Sequence, residues 1–213
     1  MKKRILLLGD RSLPRYHPLD EVVPPLSALL GVDYDLTITE DYPELTAASL
    51  GDCDLIINYI DNWAARGGDR AAGVLLSHMS LGGRLLTLHS GLIMKTHPEL
   101  EAMQGGRFEG HPESCELAYL PADSAHPILR EIEPFVLFEE PYRFTVANLP
   151  RPEMLLTYLH EDKEWPAGWV LPYGLGQVVY LSMGHRGASL THPMVQRLVL
   201  NSVKWLLDES TGC

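Results

Sequence analysis

Short apolar runs alternating with amphipathic segments fill the first ninety residues, and this rhythm leaves few folds open to the chain. Arg4-Ile5-Leu6-Leu7-Leu8-Gly9 is a continuous apolar run that ends in Gly9-Asp10. A strand buried on both faces of a parallel sheet reads this way. A helix is expected next, with Pro24 or Pro25 in its first turn and Gly31 at its close. Residues 34–39 suit a second strand, Pro43 opens a short helix ending near Gly51, and residues 54–59 suit a third buried strand. Between Asp69 and Leu81, apolar residues recur at helical spacing (Ala72, Leu75, Leu76, Met79), and Gly82-Gly83 ends the helix. Residues 84–88 form a fourth strand, followed directly by His89-Ser90-Gly91. Such alternation implies an α/β fold with a doubly wound, mostly parallel sheet and right-handed crossovers. Ligands in these sheets bind beyond the carboxyl ends of the strands. Residues 10–17, 59–63 and 89–91 are therefore the first places to look for a site.

The rhythm breaks after Gln104. Extended pieces near residues 115–120, 135–138 and 154–160 are punctuated by seven prolines between Pro112 and Pro152. They read as a β-rich insertion with antiparallel pairing. Gly174-Leu175-Gly176 suits a hairpin turn, and residues 177–181 return to the sheet. A last helix is expected after Thr191 as N-cap, with Val195, Leu198, Val199, Val203 and Leu206 on its apolar face. At 213 residues the chain fits one domain, set at residues 1–208 with 209–213 as a tail.

Bulk properties exclude more than they identify. The formal net charge of -11 repels phosphate backbones, so no nucleic-acid partner is expected. The longest apolar runs are far too short to span a bilayer, so no membrane partner is expected either. Lys2-Lys3-Arg4 precedes an apolar run that Gly9-Asp10-Arg11 ends at once, so no signal peptide is read and a cytoplasmic location is expected. Cys53, Cys115 and Cys213 are widely separated and odd in number, against both a disulfide framework and a thiolate zinc site.

Nine histidines is a high count, and their positions matter more than their number. His89 and His185 each follow a buried strand, and His111 sits in the turn-like Gly110-His111-Pro112. His17 lies in the loop after the first strand. Glu139 and Glu140 close the apolar run Phe135-Val136-Leu137-Phe138, and one of the two is expected to face inward. Imidazoles with a carboxylate can hold zinc or another divalent metal, or serve as general acid and base. No HExxH motif supports the metal reading by spacing. The candidate catalytic residues are His89, Glu139, Glu140 and His185, and the candidate metal ligands are His89, His111 and His185. His17, Trp63, Ser90 and Tyr142 are candidates for contacting substrate. His78, His97, His126 and His192 are read as surface or capping residues, three of them because proline follows. Ser90 is a poor nucleophile candidate, because Leu88 stands where a GxSxG elbow needs glycine.

Four ordered blocks resemble one known family. They are residues 82–90 ending in Leu88-His89-Ser90, residues 105–112 ending in Gly110-His111-Pro112, Glu139-Glu140-Pro141-Tyr142-Arg143-Phe144, and Trp169 through Gly184-His185 to His192-Pro193 and Trp205. Together they resemble the ThuA-like, trehalose-utilisation family. Glu139 stands where the family more usually has Asp, and Pro141 follows Glu140. The resemblance implies a flavodoxin-like three-layer sandwich of the class I glutamine amidotransferase-like type. Where amidotransferases carry a nucleophilic cysteine this chain reads Leu88-His89-Ser90-Gly91, so glutaminase chemistry is not expected. The family association implies a small-molecule carbohydrate as partner. Two readings follow: a sugar-processing enzyme acting on a glycoside or oxidised sugar through a His/Glu pocket, metal-assisted in one version, and a non-catalytic carbohydrate-binding or assembly protein. The sequence leaves the oligomeric state open, a homo-oligomer included.

Overall fold

The computed structural model describes residues 1–10, 16–40, 42, 45–61, 69–94 and 97–208. Pro43, Trp63 and residues 209–213, on which sequence expectations were placed, lie outside them. Among the described residues, strands β1 (Arg4–Leu8), β2 (Asp35–Thr39), β3 (Leu55–Asn58) and β4 (Arg84–Leu88) alternate with helices α1 (Leu19–Leu30), α2 (Ala47–Gly51) and α3 (Asp69–Ser80). The four runs of the amino-terminal half fall within a residue or two of their expected bounds. β1, β3 and β4 are apolar on consecutive positions because helices cover both faces of the sheet. Ile5 and Leu7 join the core under α1, whereas Leu6 and Leu8 join the core under α2 and α3.

After a 3₁₀ turn at His89–Leu92 come α4 (Pro98–Met103), β5 (Gly106–Gly110), β6 (Cys115–Pro121), β7 (Phe135–Glu139), β8 (Arg143–Val146), β9 (Glu153–His160), β10 (Lys163–Tyr173), β11 (Gly176–Leu181) and α5 (Pro193–Leu207). Nine strands form one sheet in the order β2-β1-β3-β4-β11-β10-β9-β6-β7, and β5 pairs with β8 in a separate ribbon. β2, β1, β3, β4 and β11 run parallel, and β10, β9, β6 and β7 extend the sheet with antiparallel pairs. The proline-punctuated region is thus an extension of the main sheet. Trp169 on β10 is the largest fully buried side chain, and its indole N–H donates to the Gln104 carbonyl at 2.8 Å.

Two helix starts differ from expectation. α1 begins at Leu19, so both prolines lie inside it. A proline at position 25 cannot donate to the carbonyl of Glu21. That freed carbonyl faces Gly187, where a Cβ would come within 2.0 Å of it. α5 begins at Pro193, and the capping residue is His192, whose Nδ1 accepts from the Met194 N–H. The expected apolar face of α5 is fully buried.

The parallel register aligns the strand ends that build the site. Leu8 pairs with Asn58, Asn58 with Thr87, and Leu88 with Leu181. A buried amide network locks this edge. Asn58 Nδ2 donates to the Gly91 carbonyl at 2.8 Å, and Thr87 Oγ1 donates to Gln104 Oε1 at 2.6 Å. A Cβ on Gly91 would sit 2.3 Å from the Asn58 carbonyl oxygen. Backbone cannot swing aside as a side chain can, so Gly91→Ala should cost about 1–3 kcal/mol in chemical denaturation. An unchanged denaturation midpoint would show that the β3–turn contact is not constrained in this way.

Candidate functional site

Four side chains from four separate places in the sequence meet at the carboxyl edge of the parallel strands. His89 is the first residue after β4, His185 follows β11, His17 ends the loop after β1, and Glu140 follows β7. One potential ligand atom from each lies within 4.8 Å of all the others. The closest approaches are 3.1 Å between His17 Nε2 and His89 Nε2, and 3.2 Å from Glu140 Oε2 to both His89 Nε2 and His185 Nδ1. His17 Nε2 lies 3.5 Å from the same oxygen. Ligands about 2.0–2.2 Å from a tetrahedral ion stand about 3.3–3.6 Å apart, so these four shortest separations come within a few tenths of an ångström of what a zinc-sized cation needs.

The protons of two of the rings point away from the cluster. His17 Nδ1–H donates to Asp61 Oδ2 at 3.0 Å, and His89 Nδ1–H donates to the Ser182 carbonyl at 2.7 Å. In the neutral rings, each Nε2 then carries a lone pair facing the other. His185 Nδ1 is buried and makes no hydrogen bond, although Glu140 lies beside it. Facing lone pairs and an unsatisfied ring nitrogen are what a set of ligands around a cation presents. An outer carboxylate or carbonyl on the far nitrogen is also the usual partner of a metal-bound imidazole.

Electrostatics divide the groups. Complete burial lowers His89 to about 3, against weaker opposing effects of Glu140 and the Ser182 carbonyl. Burial also opposes protonation of His17, but hydrogen bonds to Asp61 and Glu140 outweigh it and raise its value. Glu140 is penalised by burial, yet His17, His185 and His89 around it hold it far below the usual carboxylate range. Glu139 is raised by near-complete burial, partly offset by bonds from Ser189 and the backbone of Gly184 and His185.

The two adjacent acids have different surroundings. Phe135, Leu137 and Glu139 share the inner face of β7. Glu139 accepts the Gly184 N–H at 2.9 Å and the His185 N–H at 3.2 Å, so it fixes the turn that presents His185. Gly184 has a φ of 118°, which only glycine adopts freely. Glu140, one residue on, enters the cluster. His111 stands outside it: Nε2 lies 3.6 Å from Glu140 Oε1, and Nδ1–H donates to the Pro112 carbonyl. Tyr142 stacks on His89 at 4.2 Å and on His111 at 5.3 Å. Ser90 is fully buried and its hydroxyl donates to the Tyr59 carbonyl at 3.3 Å. His97, read as a surface or capping residue, occupies the N-cap position of α4, and its buried ring pairs with Asp69 at 3.0 Å in place of a side-chain cap bond. Asp61 was missed by residue-type reasoning, although it lies in the strand-end segment after β3.

His89 has a φ of 42°, a left-handed conformation uncommon outside glycine. It arises because the chain must turn from β4 into the 3₁₀ segment within one residue. The strand-to-turn elbow is therefore present, with an imidazole at its apex.

Residues 12–206 match the family model described as trehalose utilisation. The chain belongs to the ThuA family. A ThuA-like protein from Bacteroides uniformis superposes with a TM-score of 0.78 at 18% identity, over 99% of this chain and 94% of that one. A cytoplasmic protein from Salmonella typhimurium gives 0.70 at 12% identity, over 95% and 98%. A cold-adapted β-galactosidase from Rahnella gives 0.68 at 15% identity, over 95% of this chain and 31% of that enzyme. No curated protein matches the chain in sequence.

The opposed shifts of His17 and His89 set a pH dependence for the cation-free ThuA protein. The ordinary imidazole value is 6.5. His17, raised above it, contributes stability that is complete below 6.5 and is lost as pH rises through the folded value. His89, lowered to about 3, refuses a proton that the unfolded chain accepts, so stability falls as pH drops from 6.5 toward 3. Denaturation in the presence of a chelator should therefore show maximal stability near pH 6.5. His17→Gln should flatten the alkaline limb; a limb as steep as in the parent protein would refute the assignment.

Proposed function

We propose that this ThuA protein is a carbohydrate-processing enzyme whose His17, His89, His185 and Glu140 hold a divalent cation, zinc first among candidates. The observation that carries the reading is the convergence of the four ligand atoms, with the His17 and His89 protons turned outward to Asp61 and Ser182. Imidazole and carboxylate ligands suit zinc and its neighbours better than magnesium or calcium, which prefer oxygen. A cation bound there would polarise a carbonyl or hydroxyl oxygen of a glycoside or oxidised sugar. Glu140, with His111 against its outer oxygen, supplies carboxylate and imidazole for proton transfer at the same place.

The family description supports a role in sugar utilisation, and the β-galactosidase neighbour supports the compatibility of this fold with carbohydrate chemistry. Helices on both sheet faces support the flavodoxin-like, amidotransferase-like layering, and the continuous sheet supports reading residues 1–208 as one domain. The Salmonella neighbour's description supports a cytoplasmic location. Among the described residues, no helix is long and apolar enough to cross a membrane.

A second reading has its own support. The elbow carries His89 and no cysteine, so the pocket could bind a carbohydrate without transforming it. Elemental analysis of tag-free protein separates the cases first: near-stoichiometric zinc, manganese or iron is expected in the parent protein, and at least tenfold less in His89→Ala and His185→Ala. Turnover of disaccharides or keto-sugars should vanish in the same variants. Metal-free parent protein would overturn the cation reading. Calorimetric sugar binding without turnover would favour the second.

A further inference from the structure

We propose that Tyr142 is a catalytic residue whose neutral hydroxyl donates a hydrogen bond to an oxygen of the ligand entering the cluster. The proposal deepens the cation reading of the same site and rests on it. Tyr142 is fully buried, and its ring stacks on both His89 and His111. Its backbone is held as well. The N–H donates to the Glu140 carbonyl at 2.8 Å, and the carbonyl accepts the Tyr158 hydroxyl at 2.7 Å. Burial and these contacts hold the ring, and with it the hydroxyl, at the cluster.

That hydroxyl lies 3.5 Å from His17 Nε2, the nitrogen that also faces His89 and Glu140. A phenol is protonated at neutral pH and needs an acceptor when buried. A cation in the cluster takes the lone pair of His17 Nε2, which is the acceptor available without one. The hydroxyl then has a hydrogen to give at the place where an incoming ligand must arrive. Entry is from the side of Glu140, His185 and His111, whose side chains are 11%, 14% and 29% exposed while His17 and His89 are closed off. A fixed neutral donor beside a cation favours oxygen ligands that gain negative charge, such as a sugar carbonyl or a hydroxyl losing its proton. The inferred ligand class is an oxygen donor, selected over ligands that bind through nitrogen.

Cobalt(II) supplies the readout, because its visible absorption reports ligand binding without any need for turnover. Parent protein and Tyr142→Phe are loaded with cobalt and titrated with acetate, which presents oxygen, and with thiocyanate, which binds through nitrogen. Tyr142→Phe should bind the same amount of cobalt, bind acetate about tenfold more weakly, and bind thiocyanate equally well. Equal acetate affinity in the two proteins would overturn the role of Tyr142 while leaving the cation site standing. Absence of cobalt absorption in the parent would remove the cation reading and the proposal together. Should the variant misfold, carbon-13 labelling of tyrosine Cζ in the parent gives the same test: the Tyr142 signal must shift when acetate enters and stay put with thiocyanate.

Discussion

Two imidazole nitrogens held 3.1 Å apart, with the protons of both rings on the far side, set the terms for this structure. Lone pairs that close repel each other in a dry interior unless something positive lies between them. A proton can fill that place on His17, whose value Asp61 and Glu140 raise against the cost of burial. The proposed divalent cation would fill it too, and would also reach His185 Nδ1 and the carboxylate of Glu140. The arrangement is held from outside. Asp61 and the Ser182 carbonyl orient the rings, and both sit just beyond parallel strand ends. Loss of either partner would free a ring to turn its proton inward and close the site to a cation.

The same constraint accounts for the elbow at His89. A left-handed non-glycine residue costs about 1–3 kcal/mol and persists only where its surroundings leave no alternative. Here the surroundings are close. The Tyr180 hydroxyl donates to the His89 carbonyl at 3.3 Å, Tyr142 covers the ring, and Gly91 presses on Asn58 two residues later. The strain aims the imidazole at His17 without the freedom that a longer loop would give it. An elbow of this kind is useful to a nucleophile for the same geometric reason. This chain uses it to present a ring nitrogen.

The amino-terminal half of the fold was legible because its signals are local. Four consecutive apolar residues such as Ile5–Leu8 have few alternatives to a strand covered on both sides. His89 and His185 were legible for a related reason, since a polar residue directly after such a strand falls at the carboxyl edge. Other features depend on tertiary geometry. β10 contains Pro166 and Gly168, which break its strand signal, and it forms because β9 and β11 pair with it on either side. Asp61 looks like any loop acid until the parallel register brings it to His17. The Ser182 carbonyl has no side-chain signature at all. His111 was singled out for its turn context, and nothing local distinguishes a ring beside the cluster from one within it.

The adjacent acids show how the two halves of the sheet depend on each other. β7 is the outermost antiparallel strand, five places along the sheet from β4. Twist accumulates over so many strands, and it brings the edge back against the 3₁₀ turn at Ser189–Thr191 beyond β11. Phe135 stacks on His192 there. Strand alternation then sends Glu139 inward to the Gly184–His185 backbone, and the chain leaves the strand at Glu140 to meet the histidines. The parallel half thus brings three imidazoles together, and the antiparallel half supplies the carboxylate among them and the clamp on His185. Neither half assembles the site alone. The antiparallel extension is therefore part of the architecture of the candidate site, and a one-residue slip of β7 would exchange the environments of its two acids.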